Sequence, residues 1–311
     1  MLNPLVSPRG WLLSALVLAA TCGCSVQKLA VNKIGDALAG GGTTYAADDD
    51  PEFVRAAVPF SLKLVESLLE AAPEHEGLLL TAASGFTQYS WAYLQQDAEA
   101  LEREDLAAAQ ALRLRARRMY LRGRNYGLRG LDVRHPGIVA ALREQRPDAL
   151  AATGPDDVPF LHWTAVAWAA AIGVSKDDPG LIGDLALVDA LIGRSMKLNS
   201  SYDSGATHSF LVTYSFAGLE PLADQVATAR FHFDRAVELS DGKLAAPFVA
   251  FAESACVRMA DRHAFVTTLE RALAIDPDHR REWRLSNLVM QKRARWLLAR
   301  VDELFLPEET R

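Results

Sequence analysis

The chain has 311 residues, with 33 lysines and arginines against 39 aspartates and glutamates, and half of its residues are apolar. A net charge of −6 excludes the ordinary basic nucleic-acid binder. The length is enough for one elongated helical domain or two compact ones. Alanine, leucine, arginine and glutamate dominate, and no stretch alternates apolar and polar residues as a half-buried strand does, so an all-α fold is expected.

Residues 1–23 read as a processing segment. Arg9 supplies a basic start, and residues 11–20 form an apolar run too short to span a bilayer. Ala20-Thr21-Cys22-Gly23-Cys24 is similar to a bacterial lipobox, in which Cys24 becomes the lipidated first residue. Thr21 departs from the leucine preferred there, and an ordinary cleaved signal is the alternative. Ser25, not aspartate, follows the cysteine, which in enterobacterial sorting directs a lipoprotein to the outer membrane. Cys256 would then be the lone remaining cysteine, in a helical run that predicts a buried, inert thiol.

A lipid-anchored segment is expected over 24–50, with a short amphipathic helix at 26–39 stopped by a Gly40-Gly41-Gly42 connector. Gly35 and Gly40 have phosphate-loop spacing, but Gly41 and Gly42 stand where Lys and Ser or Thr are needed. Asp50-Pro51 is a helix start, and the helix should reach Ala72 with Pro59 kinking or dividing it. Glu74-His75-Glu76 reads as an exposed loop. A second helix is expected over 78–96, with Gly85 at a close helix contact. Phe86, Tyr89 and Tyr93 share its face, as core or as a ligand-facing aromatic wall.

Residues 105–128 predict a long basic helix, with Arg113, Arg115, Arg117, Arg118, Arg122 and Arg124 pairing with acidic neighbours or docking a partner, and Gly127, Gly130 and Pro136 breaking it. A short helix at 137–144 and a linker at 145–159 follow. The run from His162 and Trp163 to Ala171 is nearly apolar all round, so it should be central and buried. No partner carboxylate or nucleophile is evident near His162, which favours a structural or pore-lining role over that of a catalytic base. Asp178-Pro179 should cap one helix reaching Leu198, residues 203–209 form a turn entering a helix that carries Phe210, and 283–304 predict one closing amphipathic helix before a polar tail, 307–311.

Ala229, Phe233 and Ala236 precede a break at Asp241-Gly242, and Phe265, Leu269 and Ala272 precede Pro277 at the same offsets, 36 residues on. Val188, Ile192 and Ser195 repeat the pattern 41 residues earlier, and Leu68 marks a weaker copy. Offsets of four and three put bulky, bulky and small residues on one helix face, as in the second helix of a tetratricopeptide-like hairpin. The expected architecture is therefore a helical domain over 51–306, built of such hairpins in an irregular bundle. Proteins of this kind bind more often than they catalyse. His-Glu-x-x-His, Gly-x-Ser-x-Gly and clustered metal ligands are absent from the sequence, so no enzyme, cofactor or metal is expected.

Asn32-Lys33-Ile34-Gly35-Asp36-Ala37-Leu38, Ser84-Gly85-Phe86-Thr87-Gln88-Tyr89, Tyr120-Leu121-Arg122-Gly123-Arg124-Asn125-Tyr126, Gly205-Ala206-Thr207-His208-Ser209-Phe210 and Arg293-Ala294-Arg295-Trp296-Leu297-Leu298 together resemble the T-component lipoproteins of tripartite ATP-independent periplasmic (TRAP) transporters, over essentially the whole mature chain. The resemblance implies a lipid-anchored periplasmic protein on the inner leaflet of the outer membrane, of tetratricopeptide-like hairpins, trimeric, with a pore through each protomer. It implies binding to the P-component, the soluble solute-binding protein, and transfer of a small apolar or organic-acid ligand. Phe86, Tyr89, Tyr93, His162, Trp163 and Phe210 are the candidate pore-lining residues. The alternative is a tetratricopeptide lipoprotein scaffold for envelope proteins that handles no ligand.

Overall fold

The computed structural model describes residues 33–37, 40 and 42–305. The signal segment, Cys24 and the polar tail therefore lie outside the described residues. Asp50 accepts from the backbone N–H groups of Glu52 and Phe53 and opens α1 (Pro51–Ala71), with Pro51 in the first turn as expected and Pro59 inside one continuous helix. His75 caps α2 (Glu76–Tyr89), its Nδ1 accepting from Leu78 N. Asp105 caps α3 (Leu106–Arg134) through Ala108 N. Then follow α4 (Val158–Gly173), α5 (Leu185–Leu198), α6 (Tyr202–Tyr214), α7 (Leu222–Leu239), α8 (Ala246–Phe251), α9 (Arg262–Leu273) and α10 (Arg284–Leu298). Among the described residues there is no strand.

Successive helices pack as neighbours from α1 to α5. α2 also touches α4, α6 packs on α7 and α8, and α9 packs on α8 and α10. The repeated triplets carry this packing. Val188, Ile192 and Ser195, Ala229, Phe233 and Ala236, and Phe265, Leu269 and Ala272 are all buried. Each fully buried Phe, Leu, Ile or Val contributes about 1.5–3 kcal/mol. α5 packs mainly on α4 and α7 on α6, the helix before each of them.

Two main apolar clusters result. One joins α1 to α5 through Leu62, Leu79, Leu131, Leu161, Val188 and Leu191. The other joins α6 to α10 through Val212, Phe233, Phe248, Phe265, Leu269 and Leu297. α6 belongs to both, since Phe210, Leu211 and Tyr214 pack on the first cluster and Val212 on the second. α1 and the residues just before it also meet α10, and Arg103 meets Glu303, through polar contacts. Lys292 pairs with Glu52 at 2.6 Å, Arg103 with Glu303 at 2.9 Å, and Arg284 donates to Ala47 O at 3.2 Å. None of the apolar clusters includes residues from both sides of this seam.

Three of the six α3 arginines singled out pair with acidic neighbours. Arg113 meets Glu102, Arg117 meets Asp178, and Arg122 meets Glu66. Cys256 is buried, and burial pushes its thiol up to about 11, which keeps it protonated and inert.

Several boundaries differ from expectation for local reasons. Gly127 and Gly130 do not break α3, which runs to Arg134. They are the points where α4 comes close. Gly42 opens a helical turn, Gly42–Ala46, instead of ending a connector. The helix capped by Asp178 is only Pro179–Ile182, and α5 starts afresh at Leu185. The closing helix stops at Leu298 and resumes as Val301–Leu304. His75 is a helix cap and lies 3.3 Å from Asp36, so Glu74-His75-Glu76 is no free loop.

Candidate functional site

Two of the described stretches adopt π geometry: Ser90–Gln95, which prolongs α2 before the helix resumes as Gln96–Leu101, and Ala252–Cys256, which prolongs α8. Both are π turns. A π turn inserts a residue and rotates everything after it, and such turns concentrate at functional sites. Here each one aims a carboxylate at the same guanidinium. Glu99, in the resumed part of α2, approaches Arg293 NH2 at 2.5 Å through Oε2. Glu253, inside the second π turn, accepts from Arg293 Nε at 3.0 Å.

The network extends inward. Gln95 Nε2 donates to Glu99 Oε1 at 3.1 Å, and Tyr120 OH, fully buried on α3, donates to Gln95 Oε1 at 2.7 Å. Arg293 also lies over the ring of Trp296 at 4.4 Å. One polar chain thus links α3, α2, α10 and α8, and it crosses between the two apolar clusters.

The electrostatics follow from geometry. Arg293 stands between two carboxylates and keeps 11% of its side chain exposed, while Glu99 and Glu253 keep 25% and 23%. The two carboxylates are therefore the more exposed side of the cluster and the guanidinium the more enclosed one. Burial opposes charge on Arg293, but Glu253 and Glu99 hold its pKa above the ordinary arginine value. Burial raises the Glu253 carboxyl despite Arg293. Two carboxylates sharing one guanidinium leave one negative charge to be balanced, so this site takes a proton or ligand charge more readily than an isolated ion pair does.

A second polar cluster lies where the two halves join. His162 on α4 is buried and shares a 3.0 Å hydrogen bond between Nδ1 and Thr207 Oγ1. The His162 ring also meets the rings of Trp163 and Tyr202, with centroids 5.1 and 5.2 Å apart. The backbone just after Tyr202 is left-handed at three residues running, Asp203 (φ 44), Ser204 (φ 53) and Gly205 (φ 90). Only glycine adopts this conformation without cost, and a Cβ at Gly205 would lie 3.2 Å from Ala236 Cα. One turn on, His208 Nδ1 and His232 Nδ1 stand 2.8 Å apart.

Burial holds these histidines neutral. It lowers His162 to about 3 and His232 to about 4, and it lowers His208 as well. Between those values and about 6.5 the unfolded chain binds more protons than the folded one, so stability falls as pH falls. His162 alone should account for about 2 kcal/mol lost at pH 5 relative to pH 7. Glu253, with its raised pKa, pulls weakly the other way. Urea midpoints at pH 7 and pH 5 check this prediction. They should drop at pH 5, and His162→Gln should flatten the drop.

Of the six residues singled out in the sequence, Phe86, Tyr89 and Phe210 lie in or against the first apolar cluster. Tyr89 and Tyr93 meet with ring centroids 5.4 Å apart, and His162 meets Trp163 at 5.1 Å. Phe86 stacks instead on Tyr126 and Phe210 on Tyr214. Tyr93 is buried with its hydroxyl on Pro51 O, and Arg55 covers its ring. Gln95, Glu99, Glu253 and Arg293 escaped sequence reasoning. One signal was there: Glu253 is the lone charge in the apolar run from Pro247 to Cys256.

Among the described residues, no group of three or more His, Cys, Asp or Glu could hold a metal, and no helix is long and apolar enough to cross a membrane. The family model for the TRAP transporter T-component matches residues 47–305. An uncharacterized protein of Treponema pallidum (strain Nichols) is 28% identical over 302 residues, covering 91% of this chain and 94% of that one.

Proposed function

Because the chain belongs to the TRAP-transporter T-component family, we propose that it is the accessory, non-enzymatic T-component of such a transporter: it binds the solute-binding P-component and hands a small ligand to or from it. The observation that carries this reading is the extent of the family match, residues 47–305, which takes in α1 to α10 and both main apolar clusters. Supporting it, the tetratricopeptide-like triplets are buried on alternate helices, α5, α7 and α9, an arrangement suited to presenting a surface to a partner. The Arg293 network supplies two partly exposed carboxylates on one guanidinium, a charge arrangement suited to a small molecule with an ionisable group. In this reading the hairpins enclose a pore, three copies assemble, and a lipid on Cys24 holds the protein in the periplasm at the inner leaflet of the outer membrane.

The test is direct binding. Titrating the purified P-component of the same transport system into the full-length chain in mild detergent should give saturable binding with a dissociation constant at or below the micromolar range. Absence of binding, with both proteins folded, overturns the proposal and leaves the envelope-scaffold reading.

A further inference from the structure

The large exposed apolar residues are not spread evenly. On α1, Phe53 is 66% exposed, Phe60 74% and Leu64 37%. Offsets of seven and four place all three within about 40° of arc on the helix. Ala56 is exposed on the same side, whereas Val54, Leu62, Val65 and Leu69 are buried on the other. The segment before α1 runs back beside it: Asp36 reaches His75, past the end of α1, and Tyr45 OH bonds Ser61 Oγ in its middle. That segment adds exposed Ile34 (52%) and Tyr45 (37%). The 21 residues of α1 span about 32 Å, so the apolar strip is long and narrow and rides on an amphipathic helix.

We propose that this strip lies on the lipid bilayer, with α1 in the plane of the interface and Phe53 and Phe60 inserted among the acyl chains. The proposal rests on the reading that Cys24 carries the lipid anchor. Lys33 is nine residues beyond that cysteine, so a fully extended tether holds it within about 32 Å of the anchored atom. The edge of the protein bearing Ile34, Tyr45 and α1 is therefore kept at the membrane. An apolar helix face held there partitions into the interface, as amphipathic surface helices do. Charge does not drive the contact, because the chain's net charge is −6, so uncharged lipid should serve. A second copy of the chain could cover the same strip, and the test separates the two.

The full-length chain, purified from membranes with its own N-terminus, is reconstituted into phosphatidylcholine vesicles, and its mass reports the acyl groups independently. With Phe60→Trp, the emission added over wild type should shift to the blue and be quenched at least twofold by brominated lipid. Phe53→Ser/Phe60→Ser should stay bound through the acyl chains but become several-fold more accessible to protease within 33–50. An acylated chain whose introduced indole is not quenched overturns the proposal. So does an oligomer in detergent that dissociates in the Phe53→Ser/Phe60→Ser variant while lipid quenching is absent, since the strip would then be a subunit interface. A chain of unacylated mass fails the anchor reading separately, and quenching in it would still support the strip.

Discussion

Replacing Arg293 by alanine should destabilise the protein by about 3–5 kcal/mol. The guanidinium is almost wholly enclosed and serves two carboxylates, so its loss leaves Glu99 and Glu253 facing each other with no cation between them. The cost is mainly that of stranded charge, more than of a missing attraction. Adding Glu99→Gln and Glu253→Gln to the same variant should therefore restore part of the loss, although it removes yet more ionic groups. Urea denaturation of the single and triple variants measures both effects. A triple variant less stable than Arg293→Ala would contradict this account of the site.

The second large effect is expected at the α3–α4 crossing. Gly123, Gly127 and Gly130 lie four and three residues apart, on one face of α3. A Cβ at Gly127 would come within 2.2 Å of Thr164 Oγ1 and 3.3 Å of Thr164 Cα, and at Gly130 within 2.0 Å of Phe160 Cε1. Alanine is the better helix former by about 1 kcal/mol, yet overpacking of a filled contact costs about 1–3 kcal/mol and sometimes more. Gly127→Ala and Gly130→Ala together should lower stability by about 3 kcal/mol net, because the two helices must move apart. Gly193→Ala on α5 is the control: nothing lies within 4 Å of its Cβ position, and the change should stabilise by up to about 1 kcal/mol.

These glycines mark the boundary of what a sequence can tell. Read locally, Gly127 and Gly130 are helix breakers. Their purpose is set by Thr164 and Phe160, more than 25 residues away, and no spacing within α3 reveals that. The buried triplets were legible because four-and-three periodicity is a property of one helix and does not depend on its partner. Asp50 and Asp178 were legible for the same reason, since a cap acts on its own first turn.

The Arg293 network was not legible. Its members come from positions 95, 99, 120, 253 and 293, and π turns in α2 and α8 rotate two of its carboxylates into place. Helical spacing assumes 3.6 residues per turn and misassigns every side chain after such an insertion. That also explains why Phe86 and Tyr93, seven residues apart on an ideal helix face, end in different surroundings. The meeting of α1 and α10 through Glu52 and Lys292 depends on how the whole array of helices is arranged, which the residues of any single hairpin do not determine.

The central claim, that this T-component works by engaging a soluble solute-binding protein, is tested most directly by capture from its own envelope. The full-length chain, gently cross-linked in intact cells and purified, would be examined by native mass spectrometry. The account predicts a stoichiometric complex with a periplasmic solute-binding protein. Recovery of a β-barrel assembly factor in its place would contradict it.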